Sequence, residues 1–422
     1  MEALKVIVFD LLGSAAVLVG FMALIGLVLQ KKKAHEVIKG TLKTIVGFLI
    51  FGVGAGAVAG ALSNFQALFS EGFGLQGVLP LAEAVTALAQ EKFGTVVSVV
   101  MILGLVCNFI VARFTKFKYI FLTGQHNLFL AALITVMMKA LGLNNIVIAI
   151  AGGIILGICA AIFPAVAQPY MRKITGNDEI AMGHYVTLGY ALSGWIGSKV
   201  GKPEDSTEKL NLPGWLSIFK DYVVGVGLTM IVFYYVAVIA SGKNFTEQLS
   251  GGQSWLVYPL FQGLTFAAGL YVIITGVRMF LGEIVTAFVG ISEKLVPNAK
   301  PALDCPVVFP YAPTATLIGF LSAYAAGLIC MFIFAALKMP VIIPVAVPYF
   351  FIGATAGVFG NATGGWKGAI LGSFVVGILI AVGPALLYPI MSNIGLTGTA
   401  FPETDFNVVG LLIYYIGKLF GM

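Results

Sequence analysis

Apolar runs long enough to cross a bilayer follow one another almost without pause along this chain, parted by short polar or Gly/Pro-rich breaks. A helix needs roughly 20 mainly apolar residues to span the hydrocarbon core. The pattern predicts about eleven spans, near 7–30, 37–62, 94–113, 119–140, 145–171, 218–241, 255–281, 313–335, 340–361, 367–390 and 406–421. Three stretches do not fit that rhythm. One is 63–93, broken at Pro80; another is 282–312, with Pro297, Pro301, Pro306 and Pro310. The third, 174–198, is apolar enough to dip into the membrane yet carries Asn177, Asp178, Glu179 and His184. Non-helical backbone at membrane depth is tolerated only where it is buried in protein or lines a wet cavity. The first two resist assignment as simple spans, and the last reads as a hairpin re-entering from the cytoplasmic side.

Composition supports the membrane reading. Of 422 residues, 59% are hydrophobic and only 10% charged, and the mean hydropathy is +1.01. The net charge of +6 is small, so its distribution matters more than its sum. Lys31, Lys32, Lys33, Lys39 and Lys43 follow the first span, and Arg113, Lys116 and Lys118 the third. Arg172, Lys173, Lys199, Lys202 and Lys209 follow the fifth, Arg278, Lys294 and Lys300 the seventh, and Lys367 the ninth. The intervening loops are poor in cations. Cytoplasmic loops are the Lys/Arg-rich ones, which puts the N-terminus outside and the C-terminus in the cytoplasm. Glu2 and Asp10 stand where a signal peptide would be basic, so the first run reads as an uncleaved span. Nothing resembles a nucleic-acid-binding stripe. Cys107, Cys159, Cys305 and Cys330 lack paired spacing, which argues against a disulfide frame or a zinc site. With no Walker A sequence the chain does not hydrolyse ATP itself, and no cofactor is called for.

Five spans precede the large polar loop at about 172–217 and at least five follow it. An odd number of spans between repeat starts inverts the second copy, so the pattern predicts two inverted repeats. A weak self-match at an offset of 229 places Gly47 on Gly276, Phe51 on Phe280, Ser63 on Ser292, Phe121 on Phe350 and Gly124 on Gly353.

Ionisable groups at membrane depth are expensive, at least ~2.5 kcal/mol at a helix centre, and usually mark a substrate path. Broken segments at corresponding places in two halves point to a transporter site. His184 is the sharpest candidate, because imidazole both donates and accepts; the alternative is a histidine that caps the hairpin. Asp304 could accept hydrogen bonds from sugar hydroxyls or from His184, or pair with Lys300 or Arg278. Thr123-Gly124-Gln125-His126-Asn127 places polar groups in the fourth span, either at the site or as polar glue between helices. Gln125, His126 and Asn127 are consecutive, so they cannot all face one side of a helix. Glu83, after the Pro80 break, belongs to the outer mouth or to the site. Asn361 and Trp366 read as a turn and an interfacial anchor, and His35 as solvated.

Taken together, several stretches resemble the membrane C component of the ascorbate-type bacterial sugar phosphotransferase system. They are Lys39-Gly40-Thr41-Leu42-Lys43-Thr44-Ile45-Val46-Gly47-Phe48, Leu122-Thr123-Gly124, Gly183-His184 and Leu212-Pro213-Gly214-Trp215-Leu216. Gly276-Val277-Arg278-Met279-Phe280, Asp304-Cys305, Ala312-Pro313 and Gly364-Gly365-Trp366 complete the set. The resemblance implies an all-α polytopic membrane protein of the bacterial inner membrane: an eleven-span homodimer with a dimerising scaffold and a mobile, elevator-type core. Scaffold helices would occupy 1–62 and 201–281, and core halves 63–200 and 282–422. L-ascorbate or a related sugar would be bound, moved inward and phosphorylated by a separate cytoplasmic B component, with membrane lipid around the dimer. Carried over by position, the site would comprise Ala82, Glu83, Gln125, His126, Asn127, Leu128, Phe129, His184, Tyr185 and Asp304. The chain departs from the family pattern where Gln125 intervenes before His126 and where Tyr185 follows His184. The main rival is an ion-coupled secondary transporter of a sugar or organic anion, with Asp304, His184 or Glu83 as proton carrier. A passive channel is the other.

Overall fold

The computed structural model describes residues 15–74, 78–210, 222–294, 296–344 and 346–421. The start of the first predicted span and the motif at 212–216 lie outside them. Twelve helices are described: α1 (Ala15–Leu29), α2 (Ala34–Phe73), α3 (Ala82–Phe114), α4 (Gly124–Ala140), α5 (Asn145–Thr175) and α6 (Thr187–Val200) in the first part. The second part holds α7 (Tyr222–Ser241), α8 (Lys243–Leu249), α9 (Tyr258–Lys294), α10 (Pro313–Ala336), α11 (Ala346–Ser392) and α12 (Thr404–Leu419). Among the described residues, five helical stretches are long and apolar enough to cross a membrane: Ala34–Gly54, Lys92–Phe114, Asn145–Thr175, Pro313–Ala336 and Val347–Ser392. The chain is a helical membrane protein. On α5, Ile146, Ile150, Ile154, Ile158 and Ile162 stand exposed at four-residue spacing, an apolar stripe facing outward.

Two helices overrun their predicted ends. α2 continues to Phe73 and α9 to Lys294, so each absorbs the first part of a stretch expected to be broken. The reason is local: the breakers lie further on, at Gly74 and Pro80 in one case and at Pro297 onward in the other. The rest of the first stretch holds a two-residue strand (Leu79–Pro80) and the first limb of α3, and the rest of the second a strand (Lys300–Leu303) and a 3-10 turn (Cys305–Tyr311). α3 also departs from helical geometry at Phe93, which sets a short first limb apart from the spanning part.

α11 contains both spans predicted at 340–361 and 367–390, folded back on each other at Gly365. That residue has φ 58° and ψ −150°, a conformation essentially reserved for glycine. The limbs touch so closely that a Cβ on Gly360 would sit 2.2 Å from the Gly368 carbonyl oxygen. The polar loop before α7 plugs this fold-back. Asn361 Oδ1 accepts from Thr207 N (2.8 Å), and the Glu208 carboxylate accepts from Thr314 N (2.8 Å) and Ala315 N (3.1 Å). Glu208 thereby satisfies orphan N–H groups at the start of α10. Asn361 is thus a buried anchor within a helix limb rather than a turn residue, and the break falls at Gly365.

Five two- to four-residue strands complete the fold, all paired in parallel. β2 (Tyr119–Phe121), β4 (Lys300–Leu303) and β3 (Ala181–Met182) form one sheet in that order, with Phe121 opposite Ala302 and Leu303 opposite Met182. β1 (Leu79–Pro80) pairs with β5 (Thr399–Ala400), and Val78 bridges to Ile342. Each named strand is followed within a few residues by a helical turn. Parallel strands leave a sheet by the same edge, so those turns start close together.

Candidate functional site

Beyond the shared edge of β2–β4–β3, three chain segments converge. β2 leads through Thr123 into α4, β3 through Gly183 and His184 into α6, and β4 through Asp304 into the 3-10 turn Cys305–Tyr311. Gly183 makes the approach possible: a Cβ there would lie 2.4 Å from the Ala302 carbonyl oxygen, which belongs to the neighbouring strand. Helix starts present unpaired N–H groups and the positive end of the peptide dipoles.

Asp304 sits at the centre. Its Oδ1 accepts from Cys305 N at 2.7 Å, its Oδ2 from Gln125 Nε2 at 3.3 Å, and His126 Nε2 lies 3.6 Å from Oδ1. The imidazole of His184 lies edge-on to that of His126, with centroids 4.2 Å apart. His184 Nδ1 is hydrogen-bonded to the Tyr190 hydroxyl on the first turn of α6, which fixes the ring. His126, only 6% exposed, has an Nδ1 without a hydrogen-bond partner in the structure. Buried polar atoms are nearly always paired, so this one is free to serve a ligand.

The consecutive polar residues of α4 divide their duties. Gln125 and His126 turn to Asp304, whereas Asn127 Oδ1 accepts from the Tyr185 hydroxyl at 2.8 Å and its Nδ2 donates to the Phe121 carbonyl at 3.4 Å. Tyr185 is fully buried and stacks on Phe121 at 4.2 Å. Asn127 and Tyr185 therefore tie α4, β2 and the β3–α6 loop together. Phe129 packs edge-on against His126 at 5.5 Å, while Leu128 is half-buried against the surrounding apolar core. Ala82 is buried in that same core at the start of α3. The side chain of Glu83, next in that turn, lies outside the described residues.

The ion pair weighed for Asp304 is made by another acid. Lys300 bonds to Asp178, which also accepts from Arg172 Nε at 2.8 Å and Gln168 Nε2 at 2.7 Å. Partial desolvation pushes the Asp178 carboxyl upward, but the bonds from Arg172, Lys300 and Gln168 outweigh it and hold the group well below the usual carboxylate range.

The β5–α12 junction also reaches the site, which the pattern of spans did not foretell. Asp405 accepts from Thr187 N (2.8 Å), Thr187 Oγ1 (2.8 Å) and Leu188 N (3.0 Å), capping α6 just behind His184. Ligand atoms of Glu403, His126 and His184 lie within 4.8 Å of one another, as do those of His184, Asp304 and Cys305. Either trio is close enough to hold a metal ion. The same imidazoles and carboxylates also suit a ligand rich in hydroxyls, which needs donors and acceptors side by side. Tyr190, Glu403 and Asp405 were missed in the sequence. The signal for the acids was there: Pro402-Glu403-Thr404-Asp405 interrupts an otherwise apolar C-terminal region.

Residues 10–405 match the family described as EIIC-GAT, PTS system sugar-specific permease component. A protein of Mycoplasma pneumoniae, the ascorbate-specific PTS system EIIC component, is 28% identical over 431 residues covering 89% of this chain. The chain spans 65% of that relative's length.

Proposed function

Because the chain belongs to the sugar-specific permease component family of the phosphotransferase system, we propose that the cluster of His126, His184 and Asp304 is where its sugar binds. The substrate we assign is L-ascorbate or a close relative, moved inward for phosphorylation by a separate cytoplasmic B component. The observation that carries the assignment is the convergence of two buried imidazoles on a largely buried carboxylate, with His126 Nδ1 left for a ligand. The Mycoplasma relative supports ascorbate by its name. Calorimetric titration of L-ascorbate and a panel of pentoses and pentitols into the purified protein, without a phosphoryl donor, tests it. Saturable ascorbate binding is expected, abolished by His184→Ala while the variant stays folded. Binding of another panel member alone reassigns the substrate. Uptake that follows a pH gradient without phosphorylation sinks the mechanism in favour of ion coupling.

We also infer two inverted repeats, one covering α2–α6 and the other α9–α12. The support is strand exchange: β4 of the second half lies between β2 and β3 of the first, while Val78 and β1 of the first half lie between Ile342 and β5 of the second. Exchanging the halves maps one sheet onto the other. In this alignment Ala346 stands 222 residues after Gly124, and Thr404 217 residues after Thr187. The offset of 229 from the identities alone is therefore displaced by about two to three helical turns, each of roughly 3.6 residues; abundant Gly and Phe produced it. On this reading α1, α2 and α7–α9 form the scaffold of a homodimer, and α3–α6 with α10–α12 form the core that carries the sugar, elevator-fashion, across the membrane.

A further inference from the structure

Three helical starts meet beyond the edge of β2–β4–β3, and two of them are capped by acids. Asp405 takes the Thr187 and Leu188 N–H groups at the start of α6, and Asp304 takes that of Cys305 at the 3-10 turn. The start of α4 is different. Its N-cap is Thr123, whose side chain makes no cap bond and whose Oγ1 has no hydrogen-bond partner in the structure. The first turn closes through Asn127 N and the Thr123 carbonyl at 3.2 Å, and a helix leaves its first N–H groups without partners in its own turns. His126, three residues after Thr123, lies on the same side of that turn, and its Nδ1 is a second buried atom without a partner. Both residues are more than nine-tenths buried. Buried polar atoms rarely stay unpaired, so two of them beside one uncapped helix start mark a place for a ligand. Their characters differ. His126 presents Nε2 to Asp304 at 3.6 Å; with the proton on that nitrogen, Nδ1 is an acceptor, whereas the Thr123 hydroxyl and the helix N–H groups donate. A deprotonated enediol carries the complementary pair, an anionic oxygen on one carbon and a hydroxyl on the next. Among the described residues no Lys or Arg is paired with Asp304, and Lys300 is held by Asp178. The start of α4, with its N–H groups and the positive end of its dipole, is where a negative oxygen is best held.

We propose that Thr123 determines specificity: its hydroxyl and the open start of α4 hold the anionic oxygen of an enediolate, while His126 Nδ1 accepts from the neighbouring hydroxyl. This rests on reading the cluster as the sugar site. Two probes isolate the enediolate: L-ascorbate, which carries it at neutral pH, and L-gulonolactone, the neutral lactone with the same side chain and a saturated ring. Both are titrated calorimetrically into the full chain in detergent at neutral pH, with no phosphoryl donor. Wild type is expected to bind ascorbate at least about tenfold more tightly than the lactone, the factor that a hydrogen bond to a charged group supplies. Thr123→Val keeps the shape and removes the hydroxyl, so ascorbate affinity should fall about tenfold. Because that hydroxyl caps nothing, the variant should melt within about 2 °C of wild type. Thr123→Ser keeps a hydroxyl and should bind ascorbate within about threefold of wild type. The proposal is overturned by a wild type that binds the two probes within about twofold of each other, or by a Thr123→Val that binds ascorbate within about twofold of wild type. It is equally overturned by a Thr123→Ser that loses as much affinity as Thr123→Val, or by a Thr123→Val that melts far below wild type, which makes the hydroxyl structural. In each of these cases, loss of ascorbate binding in His184→Ala leaves the sugar site standing. A wild type that binds no ascorbate overturns both readings.

Discussion

His184 is held from three directions: by the Tyr190 hydroxyl, by the edge of His126, and by a backbone that only glycine at position 183 allows to lie against β4. The last of these is the most sensitive to a single atom. In Gly183→Ala the new methyl meets the Ala302 carbonyl oxygen at 2.4 Å and its carbon at 2.5 Å, and neither can swing away as a side-chain tip could. Overpacking of this kind costs about 1–3 kcal/mol. The variant should melt at lower temperature in detergent and bind its sugar about tenfold more weakly, since each 1.4 kcal/mol is a factor of ten. Wild-type binding in Gly183→Ala would show that the strand contact does not position His184. The sequence singled out His184, Asp304 and Gln125–Asn127 because charge and amides are rare in such apolar runs. It could not show that Asn127 turns to Tyr185 while His126 turns to Asp304, because that division depends on where β2 and β4 sit.

The working unit at the next scale is a short strand followed by a helix start. A strand of two to four residues is far below independent stability, so no local pattern announces it. Its pairing energy comes from segments distant in the chain, as when Tyr119 meets Lys300. What pins the unit at its polar end is Asp178, which draws Lys300 at the start of β4 onto Arg172 in the last turn of α5. Its carboxyl is held below the unfolded value, so the stabilisation is complete above that value and fades as pH falls toward the folded one. The difference in melting temperature between wild type and Asp178→Asn should accordingly be flat above about pH 5 and shrink below about pH 4. A difference that grows on acidification would contradict this account. The polar residues of 174–198 set that stretch apart in the sequence; its form, a strand and a fourteen-residue helix capped by Asp405, was not legible there.

For the molecule as a whole, the alternation of basic and cation-poor loops sets a testable orientation. Lys32 and Lys243 are both exposed, in loops assigned to opposite sides. In intact cells a membrane-impermeant maleimide should label Lys243→Cys and spare Lys32→Cys, and the reverse pattern would invert the topology. The exposed isoleucines of α5, and Leu42, Val46, Leu49 and Val53 on α2, offer apolar surface to lipid or to a second copy.

Helical character, membrane residence and the candidate polar stretches were set by the sequence alone, because transfer of apolar side chains and of charge into hydrocarbon is decided residue by residue. The pairing of the short strands and the meeting of Glu403 with the two imidazoles were decided only in three dimensions. Those features rest on pairings between segments hundreds of residues apart. Their energy depends on backbone groups meeting across two interleaved sheets, and no stretch of sequence carries that information by itself.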